Sequence, residues 1–229
     1  MQLKDKRKIV IYGNGSMARV LYSYAKDVFD ICGFCVDECC IKNGENTFCN
    51  LPLVTFEKVQ DFFNPNEYKM ISSVGFIEMN ELREKRYREA KEKGYSFVSY
   101  IDRSVRINDD IEIEDNCIIL DFVSIHTGSK IKRGTFISSN VNIGHDCLIE
   151  PYNWINSGVS IAGECKVGKG CFWGVNSSLG NGLSIGEKNF VAANTFVAKD
   201  TKDNEVYLSE PAQKFKLDSK KFLKFANIV

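Results

Sequence analysis

The stretch from Ile125 to Ile155, IHTGSKIKRGTFISSNVNIGHDCLIEPYNWI, returns to isoleucine at every sixth position. Stepping by six in both directions carries the pattern from Ile101, Ile107, Ile113 and Ile119 out to Ile161, Val167, Trp173, Leu179, Ile185, Val191 and Val197, and no step fails. Two places before these positions stand mostly compact residues, among them Val105, Cys117, Val123, Ser129, Thr135, Val141, Cys147, Val159, Cys165, Cys171, Ser177 and Thr195. Such a period suits neither an amphipathic helix, which repeats at about 3.6, nor a half-buried strand, which alternates at about 2. It suits a chain that turns a corner at each repeat and sends one aliphatic side chain inward from each flat face. Three faces close a coil in about 18 residues, and stacked coils bury a continuous aliphatic column.

The spacing therefore predicts a parallel β-helix of about five and a half coils built from hexapeptide repeats. Cys117, Cys147, Cys165 and Cys171 fall on the small inward position and read as core thiols. His145 is one of only two histidines, and Asp146 follows it in IGHD. With Ile143 and Ile149 pointing inward, His145 falls at a corner, free to meet a neighbouring subunit. His126, nineteen residues earlier, falls one coil below and lines the same region.

Thirty basic and thirty acidic residues cancel, which argues against a general polyanion or nucleic-acid binder while allowing a local phosphate site. The opening MQLKDKRKIVIYGNG lacks the form of an export signal, and no apolar run approaches membrane-spanning length, so a cytoplasmic protein is expected. The nine cysteines then read as reduced thiols. CGFCVDECC, with Cys32, Cys35, Cys39 and Cys40, contains a CxxC but no second ligand pair, since Cys49 stands alone. Ordinary packing in a strand is the expectation, and no metal.

The first half reads as a strand over Lys8 to Tyr12, a glycine turn, and a helix from about Ser16. Gly13, Gly15 and Ala18 form GxGxxA, which brings a phosphate close to the backbone at a helix N-terminus. A plain tight turn is the competing reading. ICGFCVDE supplies a second strand ending in Asp37 and Glu38, acids suited to a ribose hydroxyl or a base edge. YKMISSVGF is a further strand, and ELREKRYREAKEK a helix with a solvated face. About a hundred residues suit a mononucleotide or nucleotide sugar better than a whole dinucleotide.

A small Rossmann-like α/β domain with this turn, followed by hexapeptide coils carrying IGHD and closing on Pro211 and Ala212, resembles the bacterial nucleotide-sugar N-acetyltransferases of the sialic-acid, bacillosamine and perosamine pathways. The likeness runs from Lys8 to about Lys214. It implies left-handed winding of the β-helix and a division into residues 1–98, residues 99–213 and a tail over residues 214–229. It also implies a homotrimer with active sites between neighbouring β-helices, and acetyl transfer from acetyl-CoA to the amine of a UDP- or dTDP-linked amino-deoxysugar, with 4-amino-4,6-dideoxyhexoses the leading class, for surface glycan synthesis. His145 would be the general base and Asp146 the acid that raises its basicity. Gly13, Asn14, Gly15, Asp37 and Glu38 would hold the nucleotide sugar. Gly163 would offer its N–H to the thioester oxygen, and the loop near Ala193 would line the CoA groove.

The residue types make chemical sense on their own. An amine must lose a proton as it attacks a thioester, and an imidazole titrates in the right range to take it. A carboxylate beside that ring holds its tautomer, and an amide N–H meets the oxygen as it gains charge. The family pattern breaks at Trp154, where several members carry a second histidine beside the thioester, so the acyl-CoA end is expected to differ. Asp102 and Arg103 in YIDRSV and the SEPAQ near the end depart from it as well. An O-acyltransferase or longer-chain acyltransferase, and a binder without turnover, are the alternatives. A carbonic anhydrase on the same helix would need three histidines around zinc.

Overall fold

Lys8–Tyr12, an apolar pentad, forms strand β1 at the centre of a five-stranded sheet. The chain leaves it through Gly13, enters helix α1 (Ser16–Ala25), and returns as β2 (Asp30–Val36). β3 (Thr47–Phe48), β4 (Leu51–Thr55) and β5 (Tyr68–Ser72) complete the order β3-β4-β2-β1-β5, in which only β3 is antiparallel. β4 escaped the sequence reading because LPLVT is short and contains Pro52, a residue normally confined to sheet edges. Short helix α2 (Val59–Phe62) follows β4, and α3 (Glu81–Glu92) follows β5. The structure, a computed structural model, describes residues 7–42 and 44–227. The outer ends of the expected first domain and tail, at residues 1–6 and 228–229, lie outside the described residues.

From Tyr100 to Val197 the chain runs as two-residue strands that end on the sixfold positions and pair in parallel with the strand one coil away, as Asn142 and Ile143 do with Ser160 and Ile161. The strands stack into three walls. One carries Ile119, Ile137, Ile155 and Trp173 inward; the next carries Ile125, Ile143, Ile161 and Leu179; the third carries Ile131, Ile149 and Val167. All of these belong to a single buried cluster that also takes in Cys117, Cys147, Cys165 and Cys171, as the register requires. Burial pushes the Cys147 thiol up to about 11 and those of Cys117 and Cys171 up to about 12, which suits packing rather than nucleophilic work.

Every sixth residue from Asn116 to Asn194 has positive φ. Glycine holds several of these corners, including Gly128 and Gly158, and asparagine holds others, including Asn140 and Asn176. Phe122, Tyr152, Glu164 and Lys188 adopt the same left-handed conformation without that excuse. Corner geometry therefore overrides local preference.

The three walls differ outside. Aromatic and aliphatic residues Ile118, Phe136 and Trp154 face outward from the first and join the core of the N-terminal unit, making it the docking wall. Trp154 stacks on Phe136 with ring centroids 4.1 Å apart. Over the indole lies the Arg83 guanidinium, which donates to the carbonyls of Val74 and Gly134. Tyr87 bonds Asp115 at 2.9 Å, Tyr24 bonds Asp121 at 2.9 Å, and the Asn116 side chain accepts from the Ser72 N–H. One side of α3, expected to be solvated, is thus an interdomain surface: Arg83, Tyr87 and Ala90 are buried. The other two walls remain uncovered, one smooth with Ser124, Asn142, Ser160 and Ser178, the other charged with pairs such as Lys130 and Glu112 at 2.7 Å.

Glu164 is exposed at a left-handed corner, φ 60°. Because asparagine tolerates that region better, Glu164→Asn is expected to stabilise the fold by about 1 kcal/mol. Calorimetry should then record a Tm higher by roughly 2–4 °C.

Candidate functional site

Between Ile143 and Ile149 the chain turns the corner that joins the smooth wall to the charged one, and His145 and Asp146 sit on that turn. Asp146, φ 54°, occupies the left-handed position. Its carboxylate accepts from His145 Nδ1 at 2.9 Å, and the two side chains are 49% and 62% exposed. A proton held on Nδ1 leaves the Nε2 lone pair free to act as a base.

Coil stacking decides what lies above and below this pair. Eighteen residues on from His145 comes Gly163, and a Cβ there would stand 2.5 Å from His145 Nε2. The imidazole therefore lies flat across the glycine. Eighteen residues before Asp146 comes Gly128, where a Cβ would collide with the carboxylate. Each member of the pair thus rests on a glycine whose missing Cβ leaves room for it.

His145 also borders a cleft of about 540 Å³ with Arg106, Asn108, Ser124, His126 and Thr127. His126 Nε2 stands 3.2 Å from Asn142 Oδ1. Asp110 braces the cleft floor by accepting from the Thr127 hydroxyl and from the Gly128 N–H at 3.0 Å, bonds that hold its carboxyl below the ordinary range. Sequence reading missed Arg106, Asn108 and Asp110. The signal was there: each stands eighteen residues before Ser124, His126 or Gly128.

Cys147 is close to His145 in sequence, but its sulfur turns inward, 3.2 Å from the Ala162 carbonyl. Ala193 is exposed at a different corner, between docking and smooth walls. Trp154, expected at the acyl-CoA end, is only 4% exposed, enclosed by Phe76, Arg83 and Phe136, with Nε1 donating to Asn156 at 3.1 Å.

The second candidate region is the carboxyl edge of β1 and β5. After β1 the chain adds strands to one side of it and then β5 to the other, so a crevice is expected at this switch point. Gly13, φ 125°, has no room for a Cβ because Ser73 Oγ occupies the space. Gly15, at the N-cap of α1, is different: nothing lies within 4 Å of a Cβ there, and the same holds for Gly75. No side chain caps α1, which leaves its first amides directed at that open space. Asn14 donates to the Cys40 carbonyl at 3.0 Å. Asp37 is already engaged, by the Tyr12 hydroxyl at 2.5 Å and by Arg86 at 2.6 Å. Glu38 is exposed in a short 3-10 turn.

In one chain these two regions are kept apart. The N-terminal unit covers the docking wall, whereas His145 projects from the corner opposite that wall. Among the described residues no group of three or more metal-binding side chains comes together, and no helix is long and apolar enough to cross a membrane.

No family model matches the sequence, and no curated protein matches it. Solved structures do match in fold. The acetyltransferase domain of PglB from Neisseria gonorrhoeae FA1090, in complex with acetyl coenzyme A, aligns with TM-score 0.78 at 16% identity over 88% of this chain and 96% of that one. A mutant of perosamine N-acetyltransferase from Caulobacter crescentus, in complex with CoA and GDP-perosamine, aligns with TM-score 0.77 at 21% identity over 87% and 92%. WeeI from Acinetobacter baumannii AYE aligns with TM-score 0.66 at 17% identity over 90% and 98%. The shared fold spans the N-terminal α/β unit and the β-helix together.

Substituting the glycine under the imidazole tests the geometry. Gly163→Ala should swing the His145 ring outward and shift its NMR resonances while far-UV circular dichroism stays unchanged. Gly180→Ala, where the nearest atom to a Cβ is 3.4 Å away, should leave them in place.

Proposed function

We propose that this chain is an acyltransferase that moves the acetyl group of acetyl-CoA onto the amine of a nucleotide-linked amino-deoxysugar, with His145 as general base. The observation that carries the reading is the His145–Asp146 pair, 2.9 Å apart, with the imidazole laid across Gly163 at the mouth of a cleft. The fold shared with structures that contain CoA or acetyl-CoA, one of them with GDP-perosamine, supports it. So does the left-handed β-helix with a Rossmann-like unit that the sequence resembles.

In this reading His145 Nε2 accepts the proton that the amine loses as nitrogen attacks the thioester carbon. Asp146 keeps Nδ1 protonated and stabilises the imidazolium that forms. The Gly163 N–H meets the carbonyl oxygen as it becomes negative. Collapse of the tetrahedral intermediate expels the thiolate of CoA, so no acyl-enzyme is required. The amides at the start of α1, with Gly13, Asn14 and Gly15, receive the diphosphate. Asp37, committed to Tyr12 and Arg86, serves to shape this site, leaving Glu38 the freer acid. The GDP sugar in the Caulobacter structure adds guanine to the uracil and thymine bases already expected.

The separation of the two regions in one chain is accounted for by a homotrimer, in which the β-helix corner of one copy meets the nucleotide crevice of another. The smooth wall favours such contact. Its small side chains let a second prism approach, and exposed Ile107, Phe122, Val175 and Phe196 lie on it or along its edge.

Thiol release from acetyl-CoA should therefore depend on an amino-sugar nucleotide, in a panel that includes hydroxyl-bearing analogues and longer acyl-CoAs. His145→Ala should lower that rate about 10²-fold or more and leave nucleotide-sugar binding intact. Release that needs no amine, or survives this change, overturns the reading. By light scattering, the wild-type chain should weigh as a trimer, and Phe196→Glu should reduce it toward the monomer.

A further inference from the structure

The four clustered cysteines resolve into two kinds. Cys35 is fully buried in the sheet and Cys32 is half-buried against the same apolar cluster, so their CxxC spacing brings no paired thiols to the surface. Cys39 and Cys40 were expected to pack in a strand; instead both are exposed in the 3-10 turn Glu38–Cys40 that follows β2. Their sulfurs lie 3.9 Å apart. Among the described residues no other thiols are both exposed and adjacent.

This turn is mechanically tied to the glycine turn. The Cys40 carbonyl accepts from the Asn14 side chain at 3.0 Å, and the Cys40 N–H donates to the Asp37 carbonyl at 2.8 Å. The Ile41 N–H closes the turn on Glu38 at 3.1 Å. Anything that twists the Cys39–Cys40 peptide therefore pulls on Asn14, which sits between Gly13 and Gly15.

We infer that Cys39 and Cys40 are a modification site, forming a reversible vicinal disulfide that releases Asn14 and weakens nucleotide binding; the last step rests on the nucleotide reading of the glycine turn. With hydrogen peroxide as oxidant, the Cys39 thiolate attacks one peroxide oxygen, the O–O bond breaks, and sulfenic acid and hydroxide result. The Cys40 sulfur then attacks the Cys39 sulfur and expels a second hydroxide, which leaves as water. Two thiols lose two electrons and two protons, and one peroxide becomes two waters. Closing the bond draws the sulfurs from 3.9 Å to about 2.05 Å. It forces the eight-membered ring of adjacent cysteines on a turn that cannot keep its 3-10 hydrogen bonds. Strained, exposed disulfides are the readily reduced ones, which makes the step reversible by ordinary thiols.

Mass spectrometry and NMR on the full chain test this together. Mild peroxide should yield a monomeric-chain product lighter by about 2 Da, with Cys39 and Cys40 in one bridged peptide, reversed by dithiothreitol. The Asn14 side-chain amide resonances should shift on oxidation and return on reduction. Titration with UDP, dTDP or GDP, whichever the reduced protein binds, should show affinity lowered by about tenfold or more. Cys39→Ser should bind the nucleotide normally and lose all three responses. Oxidation that halts at sulfinic acid, or that links separate chains, overturns the inference, as does a bridged product whose Asn14 resonances do not move. If the reduced chain binds none of the three nucleotides, the nucleotide reading fails, while the mass and the Asn14 signals still decide the disulfide and its coupling.

Discussion

Parallel pairing between residues eighteen apart is the constraint on which the rest of this molecule depends. Each inward aliphatic packs on its counterparts one coil above and below, in a column that excludes water from Ile119 to Val197. Because the backbone bonds run from coil to coil, slipping by one residue would bury the outward side chains along a whole wall. The register is therefore held by both hydrophobic burial and hydrogen bonding, and it leaves little freedom to the corners. Residues such as Tyr152 and Lys188 accept a left-handed backbone because the column requires a turn there.

The same register builds the candidate site. His145 faces Gly163 and Asp146 faces Gly128 because each is eighteen residues from its partner. An imidazole supported on backbone keeps one face covered and one edge open, an arrangement suited to a base that must stay aligned without being enclosed. The docking wall does the converse. Its outward row is apolar, so it gains by being covered, and the N-terminal unit covers it with Arg83, Tyr87 and the loop carrying Phe76. That leaves the histidine corner on the far side, where a second copy would have to supply the crevice.

Much of this is legible in the sequence. Hexad spacing gave the prism, the inward thiols and the corner position of His145, because one short-range rule repeats without interruption. Lys8–Tyr12 and the start of α1 at Ser16 followed from an apolar run and a glycine turn. What escaped depends on distant partners. Trp154 reads as an outward residue of a β-helix, and only the docked N-terminal unit turns it into core. Asp37 looks available until Arg86, far along the chain on α3, is folded against it. Alternating charge on α3 concealed its buried side, since a guanidinium that donates to backbone carbonyls and lies on an indole has no signature in a charge pattern.

Co-expression of two disabled chains tests most directly whether a histidine edge from one copy meets a nucleotide crevice from another. One chain would carry His145→Ala. The other would carry Gly15→Glu, which fills open space at the helix N-terminus with a charge that repels a diphosphate. Each alone should be inactive. Randomly mixed trimers should recover about a quarter of wild-type acetyl transfer, since a site needs the intact corner of one chain and the intact crevice of the other. Mixed assemblies that stay as inactive as either parent would contradict it.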